Sequence, residues 1–212
     1  MSSAKSSSKD RDNDYPDRFV RYCSRACQKA AWPTHKQRCH TGADFQALLD
    51  EDEEAKAINR AFSQWLACWR NTLHTVAISA LNLANSLPDK LATHFVFLEM
   101  ERRPNPPSVL QSFRMLHGEV MSRDDFVEVL RKEDCTQDEI DDWRNDDRGD
   151  HTVHIAIKFG TFMRFLWFSL RGLGRWRNVD KATADKLAAN WVHALMGSIE
   201  MGSHRIRNGN II

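Results

Sequence analysis

Four residues near the N-terminus could do metal chemistry. Cys23, Cys27, His35 and Cys39 form the pattern C-x3-C-x7-H-x3-C. Thiolate sulfur and imidazole nitrogen are the donors that structural zinc prefers, and a structural site takes four of them. Cys23 and Cys27 are four positions apart, so on a helical turn both point the same way. His35 and Cys39 repeat that spacing. Pro33 ends the first turn of helix and suits the first position of the next, where its missing N–H costs nothing. The stretch reads as two short helices with a ligand pair on each. The competing reading is a soluble helix with incidental Cys and His. Against it, three of the chain's 5 Cys fall here.

The elements that must position these donors carry a resemblance. Tyr22 before Cys23, the Cys27-Gln28 pair, Trp32-Pro33, and His35-Lys36 leading to Cys39 resemble the second half of a MYND-type zinc finger. The resemblance covers under a tenth of the chain. It implies a zinc-binding, protein-interaction role. A complete finger of that family carries eight ligands on two crossed zincs, with two C-x2-C pairs in its first half. Residues 1–22 contain no Cys and no His. In the family's wiring Cys23 and Cys27 serve one zinc and His35 and Cys39 the other, so each site lacks two thiolates. Structural zinc supplies about 10–16 kcal/mol when its four ligands are complete. Three arrangements stay open. The four residues gather around a single zinc. Cys68, Cys135 or His40 fill the gaps. Or the chain is a truncated version of a longer one and its finger is vestigial. The expectation is at most one zinc per chain, through Cys23, Cys27, His35 and Cys39. In MYND fingers that bind short Pro-Leu-containing peptides, a Gln and a Trp four residues on line the groove. By resemblance these are Gln28 and Trp32. A purely structural Trp32, packed in the finger's own small core, is the alternative.

The chain has 212 residues, 42% hydrophobic and 28% charged, which fits a globular protein with one core and a small appended module. Lys+Arg 30 against Asp+Glu 29 leaves a net charge of +1, without the basic excess of a nucleic-acid binder. The odd number of Cys favours a reducing, intracellular setting, nucleus or cytoplasm, over a disulfide framework. The polar N-terminus carries no apolar signal run. The longest apolar run, Phe162 to Leu170, contains Arg164 and is shorter than the roughly 20 residues that cross a bilayer. No direct nucleic-acid or membrane partner is expected.

Residues 1–18 read as a disordered polar tail, 19–42 as the partial finger, 43–200 as an α+β body of unknown role, and 201–212 as a frayed tail. In the body, Asp50–Glu54 place negative charge at a helix start. From Ile58 through Phe62, Trp65, Trp69, Leu73 and Val76 to Ala84, apolar residues recur every three or four positions. That predicts a long amphipathic helix stopping at Leu87-Pro88. Thr93–Arg102 alternates as a strand, with Val96, Leu98 and Met100 opposite Phe95 and Phe97. Pro104-Asn105-Pro106-Pro107 is a loop, and Val109–Val120 a second strand. Ser122 and Thr136 open short helices through capping boxes. Asn145–Asp150 is a polar turn, and His151–Phe159 a strand ending at a bend on Gly160. Thr161–Leu170 is apolar on both faces and predicts a central or fully covered strand. Asn178 or Asp180 caps a final helix buried through Leu187, Trp191, Leu195 and Ile199. The body is expected to pack the long helix and the C-terminal helix on a small, mostly antiparallel sheet. The 7 Trp read as core filling.

Enzyme signatures are weak. His151 and His154 are three apart on a strand and face opposite ways, so they read as edge-of-strand surface residues. Cys135 with His151 could form a nucleophile pair, but its acidic neighbours disfavour a thiolate. Gly172-Leu173-Gly174-Arg175 lacks the third glycine of a dinucleotide loop. SET-type methyltransferases carry a Gly-rich loop before their MYND finger and an Asn-His pair after it. Here only a polar tail precedes the stretch, and no Asn-His dipeptide occurs. No catalytic residue is assigned. The first reading is a non-enzymatic interaction module whose partner carries a Pro/Leu-containing peptide. The second is an enzyme with its site in residues 90–200.

Overall fold

A computed structural model of the chain describes residues 52–85, 89–133, 135–144, 152–160, 162–170, 179–203, 206–207 and 210–211. The chain divides into two compact units, Met1–Ala57 and Ile58–Ile212. All described residues but 52–57 belong to the second. The polar turn at Asn145–Asp150 and the loop at Gly172–Gly174 lie outside the described residues.

Helix α1 runs Glu53–Ala80. Asp52 caps it: its Oδ1 accepts from the amides of Glu54 at 2.9 Å and Ala55 at 3.0 Å. Glu53 and Glu54 sit in the first turn, where carboxylates suit the helix dipole. Phe62, Trp65, Leu66, Trp69, Leu73, Val76 and Ala77 form its buried stripe, as their spacing predicts. The helix ends earlier than the Leu87-Pro88 expectation. Asn82 takes a left-handed φ of 51°. The Leu83 amide donates to Ile78 O at 3.1 Å and the Asn82 amide to Ser79 O at 2.9 Å. This paired closure is a Schellman stop, with Asn in the position that glycine most often fills. Helix α2 is short, Asp89–Thr93, and leads into strand β1, His94–Arg102.

Strand β2 spans Phe113–Ser122. It starts later than the periodicity implies, because Val109–Gln111 winds into a 3-10 turn. Leu110 O there accepts from Trp65 Nε1 at 3.2 Å and Trp69 Nε1 at 3.0 Å. Two buried indoles thus find one acceptor, and the turn that supplies it cannot also be strand. Helices α3, Arg123–Lys132, and α4, Gln137–Arg144, follow. Both expected N-caps are present, and the second is a full reciprocal capping box. Ser122 Oγ accepts from the Asp125 amide at 3.0 Å. Thr136 Oγ1 accepts from the Glu139 amide at 3.3 Å, while Glu139 Oε2 accepts from the Thr136 amide at 2.8 Å. Strands β3, Thr152–Phe159, and β4, Phe162–Ser169, form a hairpin, with Gly160 at φ 60° between them. Helix α5, Lys181–Met201, is capped by Asp180 and stops at Gly202, φ 65°. Strands β5, Ile206–Arg207, and β6, Asn210–Ile211, pair in a separate two-stranded ladder.

The main sheet has the order β2-β1-β3-β4. The β1–β2 and β3–β4 pairings are antiparallel, and the central β1–β3 pairing is parallel. The sheet is therefore mixed and mostly antiparallel, and the body is α+β. A parallel pair needs a crossover, which β2, α3 and α4 supply.

Both faces of the sheet are covered. Val96, Leu98, Met100, Ile155 and Ile157 join the buried stripes of α1 and α5 in one cluster. Phe95, Phe97 and Ala156 join Phe126, Val127, Leu130 and Ile140 of α3 and α4 in the other. Of the two readings of Thr161–Leu170, the fully covered strand holds and the central one does not. β4 is apolar on both faces yet lies at the sheet's edge. Leu166 and Phe168 pack into the first cluster, and Met163 and Phe165 against the second. Two covered faces demand apolar side chains on both sides wherever the strand sits in the ladder. Trp65, Trp69 and Trp191 are buried in the first cluster, so the core reading holds for them. Leu187 is only half-buried.

Candidate functional site

Both cysteines of the body are built into its packing. Cys68 is a free thiol on α1, half-buried against the first cluster. Cys135 is half-buried against the second. The two clusters occupy opposite sides of the sheet, so these thiols do not converge. His154 lies near the start of strand β3, which is central in the sheet, and is half-buried, not on the surface as the sequence implied. Its Nδ1 stands 3.4 Å from the Arg123 guanidinium, which itself lies over the Trp143 ring at 5.6 Å. His151 is outside the described residues. Among the described residues, no group of three or more His, Cys, Asp or Glu could hold a metal ion. Among them, too, no helix is long and apolar enough to cross a membrane.

Two arrangements in the body escaped the sequence reading. The first is a shallow apolar cleft lined by Ile78, Leu83, Ala184 and Leu187. At its rim Asp185 accepts from Asn82 Nδ2 at 2.8 Å, Asn85 Nδ2 at 3.1 Å and Lys181 Nζ at 2.5 Å. Those bonds, the Lys181 bond foremost, hold the Asp185 carboxyl below its usual range. A carboxylate with three donors is a latch between α1's end and α5, not a poised base. Asn in a helix-stop position was the signal for it. The second is His74, whose ring stacks on Phe168 with centroids 4.9 Å apart. Its Nε2 is buried without a hydrogen-bond partner among the described residues. Burial, and then the Arg70 charge one helical turn earlier, push its pKa down. A neutral imidazole wedged between helix and edge strand is a packing element.

The sequence-predicted site residues Cys23, Cys27, Gln28, Trp32, His35 and Cys39, with His40, all lie outside the described residues. Their assignment rests on the sequence itself. Residues 18–39 match a family model whose description is MYND finger. The chain carries a MYND-type zinc finger. The matched residues span the four expected zinc donors and the two expected groove residues, and the body is left unassigned. MYND fingers generally bind zinc and mediate protein–protein interaction. No curated protein and no solved structure matches the chain at a significant level. The donor set fits the metal to a definite extent. Three thiols and one imidazole complete one tetrahedral zinc site. They do not complete the two sites of a full MYND finger.

Proposed function

We propose that the chain is an interaction module in which the MYND finger holds one zinc and receives a short Pro- and Leu-containing peptide from a protein partner. Cys23, Cys27, His35 and Cys39 bind the zinc, and Gln28 and Trp32 form the groove. The observation that carries this reading is the match at residues 18–39, because it covers the donor set and the groove pair together. The body supports it from the other side: Cys68 and Cys135 are held in separate packing clusters and do not assemble a site of their own. In this reading residues 1–18 are a solvated tail, 19–42 the finger, 43–200 an independent body and 201–212 a tail. A reducing compartment, nucleus or cytoplasm, keeps the thiols available for zinc.

Gln28 and Trp32 are four residues apart, the spacing that shares one face on a helix. An indole packs the pyrrolidine rings of a peptide, and an amide bonds its backbone. A groove of that size binds at about −4 to −8 kcal/mol, millimolar to micromolar. The test is titration of a Pro-Leu peptide against wild type, Gln28→Ala and Trp32→Ala, with each fold checked by circular dichroism. Both variants are expected to weaken binding while staying folded. If Gln28→Ala binds like wild type and Trp32→Ala merely unfolds the finger, Trp32 is structural and the groove reading fails.

A further inference from the structure

We propose that the β1–β2 loop, Pro104-Asn105-Pro106-Pro107, is itself a docking peptide, read by a partner protein through an aromatic-lined groove. Every residue from Pro104 to Val109 is exposed, and Val109 keeps 45% of its surface in solvent. Arg103, Asn105 and Pro106 each precede a proline, which pushes them toward extended backbone. The three prolines have φ fixed by their rings and no N–H to satisfy. Such a segment has little conformational freedom left to lose when it binds.

The fold presents this loop from a fastened base. The Arg103 amide donates to Ser112 O at 2.9 Å, closing the loop. Gln111 accepts from Ser108 Oγ at 3.1 Å and donates to Glu200 O at 2.8 Å. Arg103 forms an ion pair with Glu200. Leu110 O holds the two indoles of α1. All of these bonds lie outside Pro104–Pro107, so a partner can engage the prolines without breaking the base.

The chain bends at Pro104-Asn105 and again at Pro107-Ser108. The loop is therefore a corner, with the Pro106-Pro107 pair as a rigid apolar ridge. A pair of aromatic rings packs such a ridge, which is how Pro-rich segments dock in grooves of the WW and SH3 kind. Arg102, exposed at the end of β1, adds a cation next to the ridge, so the partner's groove carries a carboxylate nearby. Strand addition to the neighbouring β2 edge is disfavoured. The β1–β2 register shifts after Glu99, leaving Leu116 as an unpaired, exposed bulge that interrupts the edge.

The experiment titrates the full chain into a panel of isolated WW and SH3 domains, following the fluorescence of the domains' groove Trp. At least one domain is expected to saturate with a Kd below about 1 mM. Pro106→Ala with Pro107→Ala should weaken that binding about tenfold or more, while the melting curve stays that of wild type. A synthetic peptide covering residues 102–110 should compete. Trp32→Ala should leave this binding unchanged, which separates the loop from the finger's groove. The proposal is overturned if no domain of either class saturates in that range, or if the double Pro variant binds as wild type does.

Discussion

Trp191 of α5 lies directly over Gly118 of β2. A Cβ placed on Gly118 would come within 2.9 Å of Trp191 Cη2 and 2.2 Å of Met115 Cε. The methionine end can swing away, but the indole is buried in the first cluster and cannot do so freely. Gly118 thus sets how closely α5 approaches the sheet. Gly118→Ala is expected to destabilise the body by about 1–3 kcal/mol, the usual cost of overpacking. Urea unfolding would measure it. Pairing the change with Trp191→Leu should recover part of the loss, and additive losses would contradict the contact.

His74 sets an acid limit. Its folded pKa lies below 6.5, first because of burial and then because of Arg70. The unfolded chain therefore takes up this proton more readily than the folded one. The contribution is fully present above about pH 6.5 and is lost as pH falls through the folded value. His74→Phe keeps a ring against Phe168 and removes the titration. Its urea midpoint should fall less than wild type's between about pH 7 and pH 5. Equal falls in the two proteins would remove His74 as the cause.

Much of the body was legible because local chemistry decided it. The alternation through Val96, Leu98 and Met100 fixes two faces. Ser122 and Thr136 announce their helices by the residue three positions on. Ladder order was not legible, because β4's side chains answer to two covered faces and not to its place at the edge. The end of α1 was misplaced because Pro88 is the louder signal, while Asn82 does the stopping. The late start of β2 depends on where two indoles find an acceptor, a contact spanning 45 and 41 residues. At the finger, donor types and spacing were readable from residues 23–39 alone. The number of zincs was not, because four donors can be shared out in more than one way.

The body should fold without the finger's metal. α1 and α5 bury their stripes against the sheet in a cluster that lies wholly in the second unit. Removing zinc with a chelator is expected to leave most of the helical circular dichroism intact. Cooperative loss of all helical signal on chelation would mean that the finger is integral to the body's core.

Zinc stoichiometry tests the central claim most directly. Purified protein analysed for metal should contain one zinc per chain, and Cys23→Ser or Cys39→Ser should each release it. One site needs four donors, and the finger's stretch supplies Cys23, Cys27, His35 and Cys39. Two tightly held zincs per chain would show that other residues complete both MYND sites. No zinc at all would make the stretch vestigial, and the account of the finger as a zinc-held reader of Pro-rich peptides would be wrong.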